Sequence, residues 1–116
     1  ATSKIAPLKE LISYDDFSKL DFRLAKVLTA EKIPNTDKLL KLQVDIGIET
    51  RELVAGIAAD YEPQDLIGKT ILMLVNLEPR KIRGINSQGM ILAANANGKL
   101  LVLNPDGEGN PGSVVQ

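Results

Sequence analysis

From Leu40 to Ile46 every second residue is a large aliphatic, with Lys41, Gln43 and Asp45 standing between them. Side chains of an extended strand point alternately to opposite faces, so this stretch reads as a strand with one dry face and one wet face. The apolar runs around it are short and bounded by turn formers. Asp21 to Ile33 alternates through Phe22 and Leu24 and then shifts parity between Ala25 and Val27, the mark of a long first strand bent at a bulge. Arg51 to Ile57 forms a third strand, and Thr70 to Val75, apolar on both faces, forms a central fourth. Met90 to Ala94 is a fifth, and Lys99 to Leu103 adds another after the hairpin-type turn Asn97-Gly98.

Helical signals are few. Ser13 with Asp16 three residues on marks a helix start of one or two turns, and Ala58 to Ile67, ahead of Gly68, reads as a single short helix. Three strands, a short helix, then two or more strands is the order of an all-β, five-stranded OB-fold barrel, with its helix between strands three and four and extra terminal strands. A chain of 116 residues, 44% of them hydrophobic, has room for one core. Residues 1–12 are expected to be an N-terminal linker or extension and residues 13–116 the barrel domain.

Composition removes most catalytic chemistry. There is no histidine and no cysteine, so the usual general base, the usual zinc ligands and the thiolate nucleophile are absent. No metal, no cofactor and no catalytic residue are expected. Aromatic residues are 3% of the chain, too few for a platform that stacks successive bases. No apolar run approaches the roughly 20 residues that cross a bilayer, so a soluble, cytoplasmic protein with no membrane partner is expected.

Charge is the remaining signal. The chain has a net charge of -1, yet Arg80, Lys81 and Arg83 cluster between the fourth and fifth strands, opposed only by Glu78. Several cations on one loop meet an anion too large for one, and phosphate is the commonest. In an OB barrel the loops after strands one and four flank the oligonucleotide-binding face. The first of these, Ile33 to Asp37, is flanked by Lys32 and Lys38; the second, Leu77 to Gln88, carries the three cations. Other signals have plainer readings. Lys99 is a solvated strand residue, Gly107 to Gly112 is a turn in the tail, and the acids Asp15, Asp16, Asp60 and Glu62 are solvated helix and turn residues. Ser87 lacks a histidine to activate it.

The segments Tyr14 to Arg23, Asp37 to Leu42, Val54 to Ile57, Asn76 to Gly84 and Ser87 to Met90 together resemble the tRNA-binding domain family. That family comprises the C-terminal domain or β subunit of methionyl-tRNA synthetases and small free-standing tRNA-binding proteins. The resemblance covers about Ile12 to Leu103. It implies an OB fold, a homodimer, and a non-catalytic grip on the outer corner of tRNA that assists a methionyl-tRNA synthetase catalytic domain or subunit. Carried onto this chain, the RNA-contacting positions are Asn35, Lys38, Arg80, Lys81, Arg83, Ser87 and Met90; Lys32 joins them from its place beside the first loop. Val102, Leu103, Val114, Val115 and the N-terminal segment are the candidate dimer surface. A second reading of the same fold is a dimeric, chaperone-like protein that binds unfolded peptide in an apolar groove.

Overall fold

The structure, a computed structural model, describes residues 5–116. The linker expected over residues 1–12 lies partly outside them, at residues 1–4. Ser13 caps α1 (Tyr14–Ser18), its Oγ accepting from the Asp16 N–H at 3.1 Å. The elements that follow are β1 (Phe22–Lys32), β2 (Leu40–Asp45), β3 (Thr50–Ala55), α2 (Pro63–Leu66), β4 (Thr70–Leu74), β5 (Arg80–Ile82), β6 (Ile85–Ser87), β7 (Met90–Ile91), β8 (Ala93–Ala96), β9 (Lys99–Val102) and β10 (Val114–Val115).

The main sheet runs β3-β2-β1-β4-β7, all antiparallel, and β10 adds to β1. Alternation in β2 does what its sequence requires: Leu40, Leu42, Val44 and the following Ile46 are at most 1% exposed, while Gln43 faces solvent. They meet Ala25, Val27, Leu53, Ile71 and Met73 in a single core. Each such buried aliphatic contributes about 1.5–3 kcal/mol relative to an exposed one. β1 pairs with β4 through Phe22 to Lys26 and with β2 through Lys26 to Lys32, and its register slips between Val27 and Thr29. That irregularity lets one strand serve both halves of a barrel.

The barrel does not close by a ladder between β3 and β7. It closes through side chains and one backbone bond. The outward N–H groups of Glu52 and Val54 donate to Gln88 Oε1 at 3.2 Å and Ser87 Oγ at 3.0 Å, and the Gln88 N–H returns to the Glu52 carbonyl at 2.9 Å. Arg51 completes the seam, its guanidinium donating to the carbonyls of Val75 and Gln88. The result is a nearly closed OB-like barrel.

Three elements differ from expectation. α2 spans Pro63–Leu66 and not Ala58 to Ile67, because Pro63 sets a helix start and Ala58 is drawn away to the Lys38 carbonyl at 2.9 Å. The fifth strand breaks at Leu92. Leu92 still donates to the Leu72 carbonyl at 3.1 Å, but the Leu72 N–H donates to the Leu103 carbonyl at 3.1 Å and the Leu103 N–H to the Leu92 carbonyl at 3.1 Å, so beyond this point β8 and β9 pair as their own hairpin. Asn97 and Gly98 have φ of 56° and 90°, the turn that Asn-Gly favours. Finally, the cationic loop is itself a hairpin, β5–β6.

The C-terminal tail is packed against the barrel. Gly112 sits against Gly47 and the Ile46 carbonyl so closely that a Cβ there would lie 2.6 Å from that oxygen. Among the described residues no helix is long and apolar enough to cross a membrane.

Candidate nucleic-acid interface

The cationic segment begins with an anchor. Asn76 Oδ1 accepts from the Asp21 N–H at 2.9 Å and its Nδ2 donates to the Lys19 carbonyl at 2.6 Å, tying the loop's base to the end of α1. Nearby, Arg23 is paired with Asp21 at 2.9 Å, and that hydrogen bond and charge raise the arginine's pKa, leaving a fixed cation.

Beyond Pro79 the chain forms β5 and β6 with Arg80 opposite Ser87, Lys81 opposite Asn86 and Ile82 opposite Ile85. Directly opposed residues share a face and successive residues alternate. Arg80 and Ile82 therefore face the barrel edge with buried Ser87, while Lys81 and Asn86 take the other face. Arg83 occupies the tip. It has φ 52° and Gly84 has φ 80°, a two-residue turn with both central residues left-handed. The three cations are exposed, and none enters an ion pair among the described residues.

An arginine at the first turn position is locally unfavourable, since Asn or Gly adopts the left-handed region at lower cost. Arg83→Asn is expected to stabilise the protein by about 0.5–1 kcal/mol, seen as a Tm rise of a few degrees in a thermal melt. A lower Tm would mean that the Arg83 side chain contributes to the fold. A cation kept at this position against local preference points to a role outside stability.

The first loop meets the same stretch of chain. Ser87 is bonded to Val54 and the Lys38 carbonyl to Ala58, so both loops are anchored within four residues, a reach of at most about 14 Å. Asn35 is exposed at φ 63°, held in the left-handed turn conformation that Asn tolerates. Lys38 is exposed and without an ion pair among the described residues. Lys32 is different, since its Nζ lies 3.2 Å from Glu62 with both side chains more than half exposed. Pairs this open contribute little and yield readily to a phosphate.

Two of the expected contacts separate. Met90 is 43% exposed at the start of β7, on open surface. Ser87 is 5% exposed with its hydroxyl bonded to the Val54 amide. It is a seam residue rather than an open contact, because the barrel edge needs that oxygen. Asn76, Arg51 and Gln88 were not singled out from the sequence, since their partners lie 24 to 57 residues away. Among the described residues no group of acids is arranged to hold a metal.

A small barrel with a cationic hairpin at its closing edge and a second cation-bearing loop beside it defines an OB-like nucleic-acid-binding module. The model of the putative tRNA binding domain family matches residues 22–114, and the chain belongs to that family. It is 49% identical over its whole length to a methionine–tRNA ligase of Chloroherpeton thalassium, of which it spans 17%, and 55% identical over 90% of its length to that of Thermotoga maritima, of which it spans 16%. The chain therefore spans about a sixth of the curated relatives it matches. Among solved structures, a MetRS related protein from Pyrococcus horikoshii is similar over 93% of this chain and 100% of its own, at TM-score 0.88 and 40% identity. The chaperone CsaA of Bacillus anthracis is similar over 92% and 100%, at TM-score 0.83 and 29% identity.

Proposed function

We infer that this chain is a non-catalytic tRNA-binding module that raises the tRNA affinity of a methionyl-tRNA synthetase, gripping the outer corner of the tRNA by shape and backbone. The observation that carries this reading is the hairpin of Arg80, Lys81 and Arg83, with no ion pair among the described residues and hydrogen-bonded to the barrel wall through Ser87 and Gln88. Lys32, Asn35, Lys38 and Met90 extend the contact, and Ser87 positions it. Folded RNA read through phosphates and 2′-hydroxyls needs cations and hydrogen-bonding groups more than aromatic stacking, which agrees with the scarcity of aromatics.

The module works as a homodimer in this reading. Ile5, Leu8 and Leu11 are 90–100% exposed, Ile12 is 65% exposed and Val114 62%. Apolar side chains this open lose water contact favourably on pairing with a second copy.

A second grip on the same tRNA makes docking at a catalytic domain nearly intramolecular. Joining this chain to a methionyl-tRNA synthetase core that lacks it is expected to lower the KM for tRNA roughly ten-fold with kcat unchanged. Aminoacylation kinetics check this; an unchanged KM would contradict it.

A further inference from the structure

Gly56 has no evident structural reason to be glycine. Its φ lies outside the left-handed region, and a Cβ built there meets no atom within 4 Å. A glycine loses more backbone freedom on folding than any other residue, so one that no turn or close approach requires is unfavourable. The residue lines a groove of about 490 Å³ whose other walls include Ile57, Met90, Leu92 and Leu103. Small-molecule sites run from roughly 300 to 1,000 Å³. A smaller recess of about 150 Å³ shares Val54 and Met90 with it and is lined also by Arg80 and Glu78. The groove thus opens toward the cationic hairpin.

All its lining side chains are apolar, so its polar groups are those of the backbone. Along the outer edge of β3 the N–H groups of Glu52 and Val54 are taken by Gln88 and Ser87. Just past the end of β3, the N–H of Gly56 has no partner among the described residues. An extended peptide adding to this edge needs a row of free backbone groups, and the seam has already taken both of those N–H groups and the Glu52 carbonyl. One free donor beside apolar walls suits a single flat group with acceptors on its rim.

Resting on the tRNA-binding reading, we propose that this groove takes one unstacked nucleobase of the bound RNA, its rim accepting from the Gly56 N–H while Arg80 holds a neighbouring phosphate. Single-stranded loops and ends of folded RNA present bases that can be splayed out of the stack and hydrogen-bonded at their edges. Gly56 is glycine because any side chain there would occupy the space the base needs.

The test uses Gly56→Leu and Gly56→Ala with unfractionated tRNA as probe, alongside wild-type NMR spectra. Gly56→Leu is expected to keep the fold, bind tRNA roughly ten-fold more weakly, and leave the salt slope unchanged because the phosphate contacts remain. Gly56→Ala should fall between. In the wild type, the Gly56 amide and the Met90 methyl should shift on adding tRNA. Wild-type affinity in a folded Gly56→Leu, or unmoved Gly56 and Met90 signals at tRNA saturation, would overturn the groove's assignment while leaving the module reading standing. Absence of salt-dependent tRNA binding in the wild type would overturn both. Groove signals that respond to an extended apolar peptide and to no RNA would overturn the nucleobase in favour of a peptide site.

Discussion

Replacing Arg80, Lys81 and Arg83 together by alanine is expected to weaken tRNA binding roughly a hundred-fold at low salt and to make the log–log salt slope shallower by about two to three. The loss should be similar for different tRNAs, since phosphates carry no sequence. The reason lies in the geometry. These side chains are exposed, unpaired among the described residues and borne on a hairpin whose base is tied to β3 by Ser87 and Gln88. Little backbone freedom is lost when they meet an anion, since the hairpin that bears them is already formed. Because none of the three packs in the core, the variant should melt near the wild type. A fold-retaining triple variant with unchanged affinity would remove the hairpin from the interface.

The largest expected loss of stability comes from Gly89→Val. Gly89 has φ +129°, and a Cβ there would lie 2.3 Å from Met73 Cε and 3.0 Å from the Leu74 carbonyl. Met73 is fully buried, so it has no room to retreat. A branched side chain in a left-handed backbone adds strain of about 1–3 kcal/mol to overpacking of about 1–3 kcal/mol. The sum, about 2–6 kcal/mol, is a large share of the roughly 5–15 kcal/mol that holds a typical domain together. Chemical denaturation would read it as a lower midpoint. The damage should also spread to binding, because Gly89 joins Ser87 and Gln88 of the seam to Met90 of the open face. A midpoint equal to that of the wild type would show that the packing between β4 and β7 is looser than drawn here.

What could be read from the residues was local. Alternation in β2, the cap at Ser13 and the turn at Asn97-Gly98 each depend on neighbours in the chain, and each stands where those neighbours place it; the bend in the first strand is there too, but its register slips between Val27 and Thr29 and not between Ala25 and Val27, because the slip is set by pairing with β2. The cationic hairpin was harder to see. Ile82 and Ile85 flank a two-residue turn, but arginine at its first position disguises a turn that Asn-Gly would have announced. The break after Leu92 depends on Leu72 and Leu103, and the seam depends on Arg51, Ser87 and Gln88 reaching partners far along the chain. Hydrophobic period carries no information about such pairings. Of the residues read as RNA contacts, the cations and Met90 lie on open surface, whereas Ser87 is buried because the barrel's edge takes its hydroxyl.

The measurement that bears most directly on the central claim is the affinity of this chain for several different tRNAs across a range of salt concentrations. Closely similar affinities are expected, with a log–log slope of about -3.5 to -4.5, the sum of contacts from Lys32, Lys38, Arg80, Lys81 and Arg83. A slope near zero, or strong binding to one tRNA alone, would contradict it.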